Sequence, residues 1–188
     1  MSEDLGSPWT GGVPLAALVV VKKVEGFRAN PYDDNPGNPN NTKTIGYGSI
    51  RDKDNHPVTD GTPPISEPEA AALLQRDMAS AAMEVGHAVT VPLLDREAAA
   101  LISWTYNLGG AALHDSTMLK LLNQGDKEHV PAQMRRWVMQ GPEVLLGLLR
   151  RRWAEAAIFV GLDPTVACTR AWAEINGNGD WPAFTATA

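Results

Sequence analysis

A helix is predicted by the run Pro14-Leu-Ala-Ala-Leu-Val-Val-Val-Lys-Lys-Val-Glu-Gly26. Proline suits the first helical position, and Leu15, Leu18, Val21 and Glu25 share one face through i, i+3 and i+4 steps. Glycine is a common helix stop, so we expect the helix to end at Glu25. The chain then changes character, because residues 27–64 are rich in Asp, Asn, Pro and Gly and contain the strand candidate Thr44-Ile-Gly-Tyr-Gly-Ser-Ile50. The pattern predicts a small β lobe over about residues 27–64.

The remaining chain is mainly helical in pattern. Ser66 and Glu69 form a capping-box signature before an alanine-rich segment. Apolar residues recur at helical spacing near residues 94–107, 116–123, 131–139 and 142–159, with glycines between the segments. We therefore predict an α+β fold with a helical lobe over about residues 66–160 and a cleft between the two lobes as the site. Residues 1–13 are expected to be an N-terminal extension, and residues 161–188 a short helix with an irregular tail of unassigned role.

Composition excludes several classes of protein. The 188 residues are 44% hydrophobic and 20% charged, as in ordinary globular domains, and the net charge of -6 argues against a dedicated nucleic-acid binder. Cys168 is the single cysteine, which excludes an internal disulfide framework. The longest apolar run, residues 13–21, is shorter than the roughly 20 residues of a membrane span, and no secretory signal is visible. We expect a protein made in a cytoplasm, without a stable membrane anchor.

Basic residues are concentrated in residues 121–160, chiefly in Arg135-Arg136 and Arg150-Arg151-Arg152. Their positions predict faces of helices, which either are simply solvated or attract an anionic polymer. The second interpretation makes this block a surface that faces the substrate.

Glu25 is the most informative ionisable residue. A carboxylate at a helix C-terminus faces the negative end of the dipole, and burial against apolar neighbours also disfavours its charged form. Glycoside hydrolysis pairs such a protonated acid with an ionised carboxylate, for which Asp34 is the candidate and Asp33 its rival. A carboxyl separation of roughly 6.5–9.5 Å gives inversion and one of roughly 5–5.5 Å gives a covalent intermediate. Ordinary roles remain open, because an exposed glutamate often precedes a helix stop and aspartates often hydrogen-bond within turns.

Thr44 begins the strand candidate, and two glycines flank the nearby Tyr47. A threonine hydroxyl both donates and accepts hydrogen bonds, so it could hold an attacking water beside a carboxylate. Thr44 equally fits a simple strand position, since β-branched residues favour strands. The loops at residues 33–41 and 52–60 do not match the spacing of a calcium loop, and the four histidines are scattered, so no metal site is predicted.

The segments Glu25-Gly-Phe-Arg28, Tyr32-Asp-Asp34 and Thr44-Ile-Gly-Tyr-Gly48 resemble the Glu, Asp and Thr signature of phage-type lysozymes, the endolysins of glycoside hydrolase family 24. Further segments resemble the family's helical lobe in the same order: Leu101-Ile-Ser-Trp-Thr-Tyr-Asn-Leu-Gly109, Ser116-Thr-Met-Leu-Lys-Leu-Leu-Asn123, Arg136-Trp-Val138 and Gly147-Leu-Leu-Arg-Arg-Arg-Trp-Ala-Glu155. The resemblance covers about residues 14–160. It implies a lysozyme-like catalytic domain, a muramidase that cleaves peptidoglycan between N-acetylmuramic acid and N-acetylglucosamine.

The resemblance also implies roles for individual residues. Glu25 would protonate the glycosidic oxygen, Asp34 would activate the hydrolytic water, and Thr44 would help to hold it, giving inversion. The substrate cleft would include Tyr32, Asn107 and Arg151, with Arg151 approaching Glu25 from the helical lobe. No cofactor and no metal are implied. We expect a monomer that acts on bacterial peptidoglycan, in the periplasm or cell wall, after release from the host cytoplasm.

Two alternative functions remain open, and three features depart from the family pattern, the first being the extension over residues 161–188. Nine residues separate Asp34 from Thr44, which is longer than the usual spacing, and Ser49 stands where family members commonly have histidine. The alternatives are a lytic transglycosylase that cleaves the same bond and a non-catalytic wall-binding or virion structural module. The route of delivery, as an endolysin, a virion enzyme or a bacterial toxin, is left open by the sequence.

Overall fold

The computed structural model describes residues 6–33 and 42–185, and all statements below concern those residues. The fold is α+β, as predicted from the sequence. In chain order the elements are α1 (Leu15–Glu25), β1 (Arg28–Asp33), β2 (Lys43–Gly46), α2 (Glu67–Asp77), α3 (Ala79–Ala88), α4 (Asp95–Leu108), α5 (Gly110–Asp115), α6 (Thr117–Asn123), α7 (Val130–Met134), β3 (Met139–Gln140), β4 (Glu143–Val144), α8 (Leu146–Phe159) and α9 (Pro164–Glu174).

The first helix ends at Glu25, as predicted. Gly26 follows with a φ of 69°, and its N–H still bonds to the carbonyl of Lys22 at 3.1 Å. A positive φ is strained for residues with a side chain, so glycine lets the chain turn away immediately after Glu25. At the other end the prediction was one residue early, since Pro14 is extended and precedes the helix. Leu15 is also largely exposed, so the buried face of α1 begins at Ala16.

The β lobe is an antiparallel hairpin of β1 and β2, in which Tyr32 pairs with Thr44 and Asp33 pairs with Lys43. The second strand ends at Gly46, earlier than the predicted Ile50. Gly46 has a φ of 69°, and a Cβ there would lie 2.8 Å from the Cβ of Ala70 on α2. Close contact with α2 therefore both requires glycine and ends the strand.

Polar and apolar contacts fix the β lobe on α2. Tyr47 is buried and donates a hydrogen bond to Glu67 at 2.7 Å. Ser66 caps α2 through the predicted capping box, with the Glu69 carboxylate accepting from the Ser66 N–H at 2.8 Å. The β lobe is thus attached to the helix that begins the helical lobe.

The helical lobe is built around α4 and α8, whose Trp104 and Trp153 are fully buried. Two predicted helix boundaries in this lobe were wrong. The seventh helix ends at Met134, and α8 begins only at Leu146, because β3 and β4 form a short hairpin between them. Gly141 supplies the positive φ of 59° in its turn.

The segment after residue 160 packs on the helical core. In α9 and just beyond it, Ala167, Cys168, Ala171 and Ile175 are buried in the same cluster as the core residues of α1, α4 and α8. The irregular tail then crosses α8, where the indole N–H of Trp153 donates to the carbonyl of Pro182 at 2.9 Å. These contacts give the predicted C-terminal extension a packing role.

The prediction of open helix faces was wrong for Arg151 and Arg152, whereas Arg150 is partly exposed. Arg151 and Arg152 are buried, and Arg150 donates to the carbonyl of Ile175 at 2.9 Å. Other elements enclose α8, since α1, α4, α7 and α9 all pack against it. These arginines therefore do not form the predicted basic surface facing the substrate.

Within residues 6–33 and 42–185, no helix has both the length and the apolar character needed to cross a membrane.

Candidate active site

Glu25 lies where the first helix meets the β lobe, and its side chain is 38% exposed. Its Oε1 lies 3.4 Å from Nη1 of Arg151, which reaches it from α8 in the helical lobe. The two residues are 126 positions apart in the chain, so the tertiary fold alone brings them together. The result is a carboxyl group that is open on one side and faces a guanidinium on the other.

Arg151 is held by two further contacts behind that pair. Its Nε donates to Oε1 of Glu155 at 3.1 Å, and its Nη2 donates to the carbonyl of Ser103 at 3.1 Å. The Ser103 hydroxyl donates to the same carboxylate oxygen at 2.7 Å. Arg152 adds a second cation, with Nη1 at 2.9 Å from Glu155 Oε2. Burial lowers the pKa of Arg152 to about 10, with Glu155 opposing that shift, so the guanidinium is charged at neutral pH.

Asn107, predicted to line the cleft near the acid, is exposed near the end of α4. Its Oδ1 accepts a hydrogen bond from Nη2 of Arg152. A chain of contacts therefore joins it to Glu25, through Arg152, Glu155 and Arg151. The contacts link Asn107 to the candidate acid indirectly, and its place in the substrate cleft stays a prediction.

Tyr32 and Thr44 face each other in the β hairpin. Thr44 is almost fully buried, and its hydroxyl donates to the Tyr32 carbonyl over a long 3.5 Å. The Tyr32 ring lies under the guanidinium of Arg28, with 4.3 Å between the Arg28 Cζ and the ring centroid. The hairpin thus holds the predicted threonine in a defined orientation.

Asp33 and Asp34 are the two candidates for the second carboxylate, and the structure describes only Asp33. Asp34 lies outside the described residues. Asp33 is paired with Lys43 at 2.9 Å, and Lys43 also pairs with Asp60 at 2.8 Å. Hydrogen bonds to Asp60 and Asp33 raise the pKa of Lys43 above its ordinary value, so this lysine stays charged and neutralises Asp33.

Tyr106 was missed by the sequence analysis as a residue of the cleft. It lies on α4 next to Asn107 and is shared by two adjoining pockets. The first, of about 400 Å³, includes Gly48, Ile50, Arg51 and Asn55 of the β lobe, and the second, of about 370 Å³, includes Ser80, Ala81 and Glu84 of α3. We call the two together the groove. The first pocket has walls from both lobes, whereas the second is lined by the helical lobe. Glu25, Thr44 and Arg151 line neither pocket.

The electrostatic surroundings place Tyr106 close to the candidate acid. Burial is the main cause that raises the pKa of its hydroxyl to about 12, and the negative charges of Asp77 and Glu25 contribute. The phenol is therefore a neutral donor at working pH. Its position in the family-like segment Tyr106-Asn-Leu-Gly109 is the sequence signal that could have identified it.

Among the residues that the structure describes, one group of two aspartates and a histidine has the spacing of metal ligands. Asp52, Asp54 and His56 offer ligand atoms within 4.8 Å of one another. The loop already uses these carboxylates, because Asp52 accepts from the backbone N–H groups of Asp54 and His56 at 2.9 Å and Asp54 pairs with Lys53 at 2.7 Å. The group has the geometry of an Asx-type turn and gives no reason to assign a metal to it.

Comparison with known proteins identifies the family. The family model for phage lysozyme matches residues 22–155, a range that includes every residue predicted for the site. A SAR-endolysin of Bacteriophage PS119 is 31% identical over 150 residues, covering 77% of this chain and 84% of that protein. An endolysin from Escherichia coli O157:H7 phage FAHEc1 is similar in structure, with 32% identity, a TM-score of 0.70, and coverage of 82% of this chain and 96% of that one. The muramidase domain of SpmX from Asticaccaulis excentricus has 26% identity, a TM-score of 0.67, and coverage of 81% and 99%.

These matches define the class of protein as a glycoside hydrolase that acts on peptidoglycan, with a lysozyme-like fold. The chain belongs to the phage lysozyme family. The resemblance expected from the sequence, the α+β lysozyme-like fold and the enzymatic class are therefore confirmed.

Proposed function

We propose that this muramidase-type enzyme hydrolyses the β-1,4 bond between N-acetylmuramic acid and N-acetylglucosamine, with inversion. Glu25 is the general acid and Asp34 positions and activates the water. The main support is the partly exposed Glu25 carboxyl, which lies at the junction of the lobes with Arg151 at 3.4 Å. The open side gives a substrate access to the carboxyl group, and the cation on the other side stabilises the carboxylate that remains after proton donation.

The proposed reaction moves one proton at each end of the broken bond. Glu25 gives its proton to the glycosidic oxygen as the bond to the anomeric carbon breaks, and the bonding electrons stay on that oxygen. A water attacks the anomeric carbon from the opposite face and gives a proton to Asp34. Arg151 stabilises the carboxylate that remains on Glu25, and proton exchange with solvent restores both groups.

The choice of Asp34 over Asp33 is supported by the ion pair between Asp33 and Lys43. A carboxylate already paired with a lysine is a weaker base for water. Thr44 is the proposed partner of the water. Its hydroxyl hydrogen is directed to the Tyr32 carbonyl, which leaves its oxygen lone pairs to accept a hydrogen bond.

The role of Glu25 is tested by Glu25→Gln, which keeps the size of the side chain and removes its acidity. We expect release of reducing sugar from purified peptidoglycan to fall by at least about 100-fold, since general acid catalysis typically contributes that much. The circular dichroism spectrum should be unchanged. Glu174→Gln, on the exposed end of α9, is the control and should keep full activity. Substantial activity in Glu25→Gln would show that Glu25 is not the general acid.

The choice between the aspartates is tested by the pair Asp34→Asn and Asp33→Asn. We expect a large loss of activity only for Asp34→Asn; the reverse result would exchange the roles. Nuclear magnetic resonance of fresh product should show the inverted anomer at the muramic end. A 1,6-anhydro end would instead indicate a lytic transglycosylase, and glycan binding without bond cleavage a non-catalytic wall-binding module.

We also propose that the enzyme is monomeric, binds no nucleic acid and has no stable membrane anchor. It would act in the periplasm or cell wall after release from the host cytoplasm. The net charge of -6 supports the proposal that the enzyme binds no nucleic acid, and the endolysin relatives support action on the cell wall. Sedimentation velocity at micromolar concentration should give a single species near 20.2 kDa, and a stable dimer would overturn the monomer proposal.

A further inference from the structure

Two carboxylates share one buried guanidinium in this protein. Arg151 directs Nη1 to Oε1 of Glu25 at 3.4 Å and Nε to Oε1 of Glu155 at 3.1 Å. The Glu25 side chain is partly exposed, whereas Glu155 is 0% exposed and lies behind the arginine. The proposed reaction uses Glu25 and leaves Glu155 without a role.

The contacts of Ser103 show how the arginine is oriented. Its hydroxyl donates to Glu155 at 2.7 Å, and its carbonyl accepts from Nη2 of Arg151 at 3.1 Å. Glu155 and the Ser103 backbone thus fix the plane of the guanidinium through two of its nitrogens. The third nitrogen, Nη1, is the one that faces Glu25.

Stability alone is a weak explanation for this arrangement. Removing charged groups from water is costly, and replacing a buried ion pair by apolar residues is often neutral or stabilising. Elsewhere α8 buries small and apolar residues, among them Ala154, Ala156 and Ala157. A functional role explains the arrangement better: burying Glu155 is useful if it orients Arg151 towards Glu25.

We propose that Glu155 is a positioning residue of this enzyme, which holds Arg151 against Glu25, and that Ser103 orients Glu155. This inference rests on the proposed function, since Glu155 acts through Arg151 on Glu25. A cation fixed in place stabilises the carboxylate that forms when Glu25 gives up its proton, without reorganisation during the reaction. Glu155 also offsets one of the two positive charges of Arg151 and Arg152. This favours the protonated form of Glu25 before the reaction.

The charged and titratable groups around this cluster come from several elements. The charges of Glu25 and Arg151 act on Tyr106 of α4, those of Glu155 and Arg151 on Arg152 of α8, and that of Glu155 on Cys168 of α9. Around these neighbours, Tyr32 of β1 and Asp77 of α2 also act on Tyr106, and Lys23 of α1 acts on Cys168. Their contributions are unchanged in a variant that alters only Glu155, so a shift in such a variant reports the loss of that one charge.

Glu155→Gln is the direct test. It keeps the size of the side chain and raises the net positive charge beside Glu25 by one. We expect kcat on a soluble peptidoglycan fragment to fall by about tenfold or more, with KM within about twofold. The basic limb of the kcat profile should move to lower pH by about one unit, because the added positive charge favours the ionised acid. A merely structural role would lower Tm and leave that limb in place, which would overturn the proposal.

The matched control is Glu174→Gln. Glu174 pairs with Arg170 at the same i,i+4 spacing as Glu155 with Arg151, but at an exposed position on α9. We expect its kcat and its basic limb to match those of the wild type. An equal shift in Glu174→Gln would show that the effect is not specific to the pair behind Glu25.

Ser103→Ala decides the question if Glu155→Gln does not fold. It removes the hydroxyl that orients Glu155 and leaves every charge in place. We expect kcat to fall by about threefold to tenfold with KM unchanged. Ser66→Ala, which removes a serine hydroxyl from the cap of α2, controls for lost stability and should keep full kcat. Unchanged kcat in Ser103→Ala would overturn the proposal.

Wild type and Glu25→Gln are measured in parallel to separate the two proposals. If the wild type releases no reducing muramic ends, or Glu25→Gln keeps activity, the proposed function fails. If both behave as expected while Glu155→Gln or Ser103→Ala matches the wild type, only the positioning role of Glu155 fails.

Discussion

The substitution Ile175→Ala is expected to destabilise the whole protein, although the residue lies beyond the region matched by the family model. Ile175 follows α9, is 0% exposed, and belongs to the same buried cluster as Trp153 and Ala157 of α8. If residues 161–188 were a separate extension, a change there would leave the catalytic lobes unaffected. Because they share one core, we propose that they unfold together.

The expected size of the effect follows from the buried side chain. Alanine lacks three of the carbon atoms of isoleucine, and at about 0.8 kcal/mol for each buried methylene the transfer loss is about 2.4 kcal/mol. The cavity left behind adds to this, so we expect a loss of about 3 kcal/mol in the free energy of unfolding. For a chain of this size that corresponds to a decrease in Tm of roughly 6–12 °C.

Urea unfolding followed by circular dichroism and tryptophan fluorescence measures this loss. Val166→Ala is the matched control, because Val166 lies on α9, the helix that Ile175 follows, but is 40% exposed; its change in stability should stay within about 0.5 kcal/mol. The two probes should report one coincident transition in both variants. A loss below about 1 kcal/mol for Ile175→Ala, or a separate early transition, would refute the shared core.

Three further substitutions or measurements test other parts of the structure. Ser66→Ala removes the cap of α2 and should lower stability by about 1 kcal/mol in urea unfolding; an unchanged midpoint would show that the capping box does not contribute. Arg151→Lys keeps the charge but replaces a planar guanidinium, whose three nitrogens face three partners, by one compact ammonium group. A buried polar partner left unsatisfied costs about 1–3 kcal/mol, so Tm should fall by several degrees, and an unchanged Tm would contradict this. Burial raises the pKa of the Cys168 thiol to about 12, so a thiol reagent at pH 8 should react only after unfolding, and fast labelling of the native protein would contradict its buried position.

Local features were predictable from the sequence where neighbouring residues determine them. Glu25 ends the first helix because Gly26 accepts a positive φ, and Ser66 begins α2 because its cap partner stands three residues later. Both signals act within one helical turn, so the chain carries them without its tertiary partners. The position of Thr44 in a strand was also predictable locally, because β-branched residues favour strands.

The errors occurred where distant elements decide the outcome. Arg151 and Arg152 read as solvated helix faces, because arginine is usually exposed and nothing near them in sequence shows what covers α8. The sequence predicted helix for the residues of β3 and β4, because their apolar side chains also fit helical spacing. Tyr106 was overlooked because its place in the groove depends on the β lobe and on α3.

The sequence by itself determined the family, the division into a β lobe and a helical lobe, and the end of the first helix at Glu25. Each of these depends on residue types at short spacing or on the order of motifs along the chain. The resemblance also implied that Arg151 approaches Glu25, whereas only the tertiary structure decided that Glu155 and Ser103 lie behind this arginine. Arg151 and Glu155 come from α8 and Ser103 from α4, far from Glu25 in the chain. Buried ionic groups need partners, because a charge away from water is costly unless it is paired. The packing of the helices decides which partners are within reach.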